Sequence, residues 1–302
     1  MSDIIFHHYK PSPFAEKIRS IFGFKDISWN SVHIPRMMPK PDVMPLTGGY
    51  RKTPMLQIGA HIFCDTQTIV RELERRYPDP TLFPGGSQFL GWGTSFWTDK
   101  LLFGTSAAIV FGAFGDSMPE EFVKDRAEYS GGNINIEKMK AALPHSLQQF
   151  ATMMDWAEEG LSDGRSFFLG EAASLVDFNL YYNLWFAGRV PEAKAILDGL
   201  PSLGKWFERV GAMGNGNETE MSSSDALAIA KAGDVSGFSG VVEGGEDFSA
   251  GDTITVMPND TGRVPVTGEL VVLGKQEVAI RHSNDIVGDV IIHFPRAGFI
   301  IR

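Results

Sequence analysis

A chain of 302 residues has room for two or three domains, and 43% hydrophobic with 21% charged residues is the composition of packed globular domains. The net charge of −10, from 37 acidic against 27 basic residues, excludes a general nucleic-acid binder, which needs a basic surface to displace counterions; a local basic patch for a small anion remains compatible. The single cysteine, Cys64, rules out an internal disulfide and a cysteine-rich zinc site and fits a reducing, cytoplasmic setting. The N-terminal MSDIIFHHYK lacks the basic start and apolar run of a signal peptide, and no stretch approaches the roughly 18 apolar residues of a membrane helix, so no membrane partner is expected.

In chain order, Ile4, Ile5 and Phe6 open a short strand, residues 13–22 form a helix with Phe14, Ile18, Ile21 and Phe22 on one face, and residues 27–34 form a second strand. After a Pro- and Met-rich loop, residues 55–58 and 61–64 flank Gly59-Ala60 as a hairpin, and residues 66–77 form a helix with Ile69, Val70 and Leu73 together. This β-α-β, β-β-α order over residues 1–86 is that of a thioredoxin-like domain. Residues 87–232 read as all-helical, with Leu143, Leu147, Phe150 and Met154 at helical spacing. Pro144 inside that pattern is expected to kink the helix or mark a boundary. Residues 177–186 and 203–210 are further helical runs, and GNGNETEMSSSD reads as a linker ending in a helix cap at Ser222–Ser224. From 235 to 302, glycines and alternating β-branched runs predict a small antiparallel β-module, expected to pack on the helical domain or at a dimer contact.

The sharpest local chemistry is at Ser12-Pro13. Serine is a preferred N-cap and proline is favoured at the first helical position, so a helix begins here. A helix N-terminus carries partial positive charge and unpaired N–H groups, which lower the pKa of a thiol from about 8.5. A serine hydroxyl there can donate to the thiolate, as a stabiliser and not a nucleophile. Thr53-Pro54 leads into a strand, and a cis bond would present the backbone of Thr53 to an extended peptide; an ordinary trans proline is the plainer reading. Asp65-Thr66 opens the second helix, where either residue can cap. Functionally, its N–H groups with Thr66 suit a carboxylate, and Asp65 suits an ammonium group.

Together, Ser-Pro-Phe opening the first helix, Thr-Pro-Met-Leu opening the third strand and Asp-Thr-x-x-Ile opening the second helix resemble the glutathione transferase family. Ser12-Pro13-Phe14 with Lys17 and Arg19 is similar to its serine-type members, the tau and zeta classes. Ser174-Leu-Val-Asp177 after Phe167-Phe-Leu-Gly170 is a capping box, and resembles the family's Gly-x-x-x-Ser-x-Ala-Asp motif with Val176 in place of alanine. Residues 201–210 resemble a further family helix, so the likeness spans roughly residues 3–212. The resemblance implies glutathione as co-substrate. Ser12 would contact its sulfur, Thr53 before Pro54 would pair with the cysteinyl backbone, and Asp65 with Thr66 would hold the γ-glutamyl end. It also implies a cytoplasmic homodimeric detoxification enzyme acting on a small electrophile. A non-catalytic glutathione-binding module, or a glutathione-dependent isomerase or dehalogenase, is the alternative on the same scaffold. Asp65-Thr66 departs from the family's usual Glu-Ser or Gln-Ser, and aspartate is one methylene shorter.

Tyr9 is the rival thiol activator. Cys64 reads as a buried strand residue, since Ser12 occupies the place where redox chemistry would need a cysteine. His7 and His8 are neighbours on a strand and point to opposite sides, poor geometry for one metal, and no metal is expected. Lys40, Arg51 and Lys52 are candidates for the glycyl carboxylate by charge alone.

Overall fold

The computed structural model describes residues 4–242 and 248–302. They form two compact units. The first gathers Met1–Ile18, Ser28–Arg75 and Asn217–Arg302, and the second Arg19–Ile27 and Arg76–Gly216.

The chain opens with β1 (Ile5–His8), α1 (Pro13–Phe24), β2 (Ser28–His33), the short α2 (Met44–Thr47), β3 (Met55–Ile58), β4 (His61–Cys64) and α3 (Thr66–Arg76). The predicted hairpin is present to the residue, with Gly59 at φ 60°, a left-handed conformation that glycine adopts without steric cost. β1 and β2 pair in parallel and β1, β3 and β4 antiparallel, which is the thioredoxin-like sheet.

The second unit is helical: α4 (Gln88–Trp97), α5 (Phe103–Phe114), α6 (Glu120–Tyr129), α7 (Ile136–Gly160), α8 (Leu175–Ala187), α9 (Pro191–Asp198) and α10 (Pro201–Gly211). Pro144 is not a boundary, because α7 runs through it for 25 residues from an Asn135 cap whose side chain accepts the Lys138 N–H. α8 is buried along most of its length, and its start carries the predicted capping box of Ser174 and Asp177.

The chain then returns to the first unit through β5 (Asn217–Glu220), α11 (Ser223–Ala232), β6 (Thr253–Pro258), β7 (Val266–Leu273), β8 (Glu277–Asn284), β9 (Gly288–Pro295) and β10 (Phe299–Ile301). Ser222 caps α11 as expected, accepting the Asp225 N–H at 3.1 Å. The stretch before it is no linker: Asn217–Glu220 pairs in parallel with β2. The C-terminal strands are antiparallel among themselves, and β9 lies parallel to β4, with Ile62 opposite Ile292. The result is one ten-stranded sheet in the order β10-β6-β7-β8-β9-β4-β3-β1-β2-β5. The sequence reading sought the packing partner of residues 235–302 in the helical domain or a dimer; the partner that backbone pairing supplies is β4. Both edges of the thioredoxin-like sheet are thereby covered, which removes two open templates for aggregation. One apolar core runs through the join, holding Ile5, Met55 and Ile62 together with Ala226 of α11 and Val256, Leu270 and Ile292 of the C-terminal strands.

Candidate functional site

Strand register brings three loops to one end of the sheet. His7 stands opposite Met55 in the antiparallel β1–β3 pair, and Met55 opposite Cys64 in β3–β4. The residues after β1, before β3 and after β4 therefore emerge together, and they carry Ser12, Thr53-Pro54 and Asp65-Thr66.

Ser12 is the cap that its sequence predicts. Its Oγ accepts the Ala15 N–H at 3.2 Å and its carbonyl accepts the Glu16 N–H at 3.0 Å. Its side chain is buried, and a hydroxyl that accepts one bond still carries a hydrogen to donate. The Thr53–Pro54 peptide is cis. Asp65 is the cap of α3, with Oδ1 accepting the Gln67 N–H at 3.0 Å, so Thr66 is the first helical residue. Asp65 sits at φ 79°, a left-handed conformation that aspartate tolerates better than most side chains. The Thr68 hydroxyl donates to the carbonyls of Cys64 and Asp65 and closes that turn. Tyr9 lends its carbonyl to the Ser12 N–H at 3.0 Å, and its ring packs against the shared core with the Lys40 ammonium 5.9 Å from the ring centre. Cys64 is fully buried on β4, and burial, reinforced by the Asp65 charge, pushes its thiol well up.

Comparison with known proteins bears on the family and the fold. The glutathione S-transferase N-terminal domain profile matches residues 6–81, and the glutathione S-transferase C-terminal domain profile matches residues 140–209. A GST-like protein from Pseudomonas syringae is 36% identical in a match covering 100% of this chain and 99% of that one, with a TM-score of 0.78. This chain belongs to the glutathione S-transferase family. The mango (Mangifera indica) tau-class glutathione S-transferase is 18% identical, over 70% of this chain and 89% of that one, at a TM-score of 0.52. FzlA from C. crescentus is 18% identical, over 70% and 88%, at 0.54. These two share the fold. No curated protein matches the chain. The match to the Pseudomonas protein runs the full length of this chain and so includes the C-terminal strands, whereas the mango and C. crescentus proteins each match 70% of it.

In this transferase-family chain, those strands reach two of the three loops, the one before β3 and the one after β4. β9 runs parallel to β4, so residues 296–298 emerge beside Asp65-Thr66, and β6 ends opposite the start of β10, bringing the turn at 259–265 to the same end. Gln67 Nε2 donates to the Ala297 carbonyl at 3.2 Å, and Lys52 Nζ lies 2.6 Å from Asp260 Oδ1. Of the candidates named by charge, Lys40 is buried and braces the loop from inside, donating to the Arg51 carbonyl at 3.1 Å and the Thr53 hydroxyl at 3.0 Å. Lys52 faces a carboxylate of its own chain. Sequence reading missed Asp260 and Ala297, because only the pairing of β9 with β4 brings them near, and nothing local to either residue signals it.

Proposed function

We propose that this chain is a glutathione transferase that binds glutathione across the loops after β1, before β3 and after β4, and activates its thiol for attack on a small electrophile. Supporting this is Ser12 at the N-cap of the twelve-residue α1, in a chain of this family. The thiol proton leaves to solvent, and the Ser12 hydroxyl together with the positive end of α1 stabilises the thiolate. The sulfur lone pair then forms a bond to the electrophilic carbon as the leaving group departs with its electrons. Asp65 and Thr66 hold the γ-glutamyl end, and the Thr53 backbone pairs with the cysteinyl residue. The reading includes a homodimer in a reducing, cytoplasmic compartment.

The alternative on the same scaffold is a glutathione-binding module without turnover.

The test follows thiolate absorbance of bound glutathione against pH, with Ser12→Ala and Asp65→Ala alongside. The transferase reading expects a thiol pKa well below about 8.5. It expects that pKa to rise in Ser12→Ala with affinity retained, and Asp65→Ala to lose affinity first. Binding with an unshifted thiol would transfer the assignment to the non-catalytic module. Equal effects from the two substitutions would overturn the division of roles.

A further inference from the structure

The sequence set His7 against His8 and found no shared metal geometry. The fold gives His8 different neighbours. His8 stands directly opposite His33 in the parallel β1–β2 pair, and their rings are 5.2 Å apart at 72°. β5 lies on the other side of β2 and brings Glu218 up, with His33 Nε2 4.0 Å from Glu218 Oε1. One ligand atom from each of the three side chains lies within 4.8 Å of the others, and this is the one such trio among the described residues.

We propose that His8, His33 and Glu218 form a binding site for a divalent cation of the zinc class. Two imidazoles and a carboxylate form a donor set that zinc accepts, with a fourth position left to water. The absence of a thiolate from the trio argues for zinc, cobalt or nickel over a soft monovalent metal. Zinc bonds of about 2.0–2.1 Å put tetrahedral ligand atoms roughly 3.3 Å apart, so the trio must close by about 1 Å. Two of its members can move: His33 and Glu218 are both at the surface, with side chains 45% and 32% exposed. The third is fixed. The His8 ring is buried, its Nε2 is 2.9 Å from Ser31 Oγ, and the Trp29 ring meets it edge-on at 5.4 Å. For a cation held at Nδ1, this Nε2 bond would be the outer hydrogen bond that orients a metal-ligating histidine.

The neighbouring strand adds a second argument. All four residues of β5 are exposed, so burial gives this strand little reason to pair. Besides covering the β2 edge, its pairing places Glu218 opposite Trp29, from where the carboxylate reaches to 4.0 Å from His33.

The experiment uses the tag-free full chain, stripped with chelator. Zinc chloride is titrated calorimetrically, and cobalt is added separately with visible absorbance recorded. One zinc per chain is expected, with a visible cobalt band typical of low coordination number. His33→Ala and Glu218→Gln change exposed side chains and leave the circular dichroism spectrum intact, and each weakens zinc binding about tenfold or more and removes the band. Absence of stoichiometric binding overturns the site. So does unchanged binding in both variants, which would assign the metal to other histidines.

Discussion

His7 shows how one buried imidazole gains a defined protonation state and a pH signature. Its Nε2 is 2.7 Å from Gln57 Oε1, and the Gln57 amide nitrogen donates to the carbonyls of Gly59 and Ala226. That fixes the amide with its oxygen toward the ring, so His7 Nε2 carries the hydrogen and donates it. Burial lowers the pKa from 6.5 to about 4, against the opposing pull of the Gln57 bond. The folded pKa therefore lies below the unfolded one. Between those two values the unfolded chain binds more protons, so stability falls as pH falls from 6.5 to about 4, by about 3 kcal/mol at most from this residue. Urea unfolding at pH 7 and pH 4.5 reads this. His7→Gln should be less stable at pH 7 yet lose less on acidification than the parent. An identical loss in both chains would show that His7 does not carry the effect.

Among the elements, α8 depends most visibly on one side chain. Asp177 is buried, and burial pushes its carboxyl pKa up against four hydrogen bonds that favour the charged form. Oδ1 accepts from the Phe168 N–H at 3.0 Å and the Trp206 indole N–H at 2.8 Å, while Oδ2 accepts from the Ser174 N–H and hydroxyl, both at 2.8 Å. One carboxylate thus joins the start of α8 to the preceding loop and to α10. Asp177→Asn turns an NH2 group toward donors and should cost about 3 kcal/mol or more. The expected fall in thermal midpoint is roughly 6–12 °C, with altered Trp206 fluorescence; an unchanged midpoint would remove Asp177 from this structural role. This element was legible in advance because Ser-x-x-Asp ahead of an apolar run is a local code. The hairpin turning at Gly59 and the caps Ser12 and Ser222 were legible for the same reason. β5 was not, since Asn-Glu-Thr-Glu has no apolar alternation and pairs only because β2 offers an edge. The continuation of α7 through Pro144 was also hidden, because packing along 25 residues outweighs one lost hydrogen bond. At the site, Ser12 and Asp65 could be read from their own neighbourhoods. Asp260 beside Lys52, and Glu218 beside His33, required strand register that no window of sequence contains.

For the molecule as a whole, the C-terminal strands decide whether the first unit can exist alone. They do not form a separate core. Val256, Leu270, Ile280, Ile292 and Phe294 share one buried cluster with Ile5, Val32, Met55 and Ile62 of the thioredoxin-like part. Each such side chain contributes about 1.5–3 kcal/mol when fully buried, while a whole domain is stable by only about 5–15 kcal/mol. Losing these five residues would cancel most or all of that margin, before counting the newly opened edge of β4. The Lys52–Asp260 pair is small by comparison, since partly exposed ion pairs are worth about 0–1 kcal/mol. A chain ending at residue 234 is therefore expected to lose the fold of its first unit and to aggregate, whereas Asp260→Asn should unfold within a few degrees of the parent. Far-UV circular dichroism during heating, with sedimentation to detect aggregates, distinguishes these outcomes. A soluble truncated chain with a cooperative transition near that of the parent would mean that the thioredoxin-like part holds its own core. The C-terminal strands would then matter for the loops they reach, through Ala297 and Asp260, and not for stability.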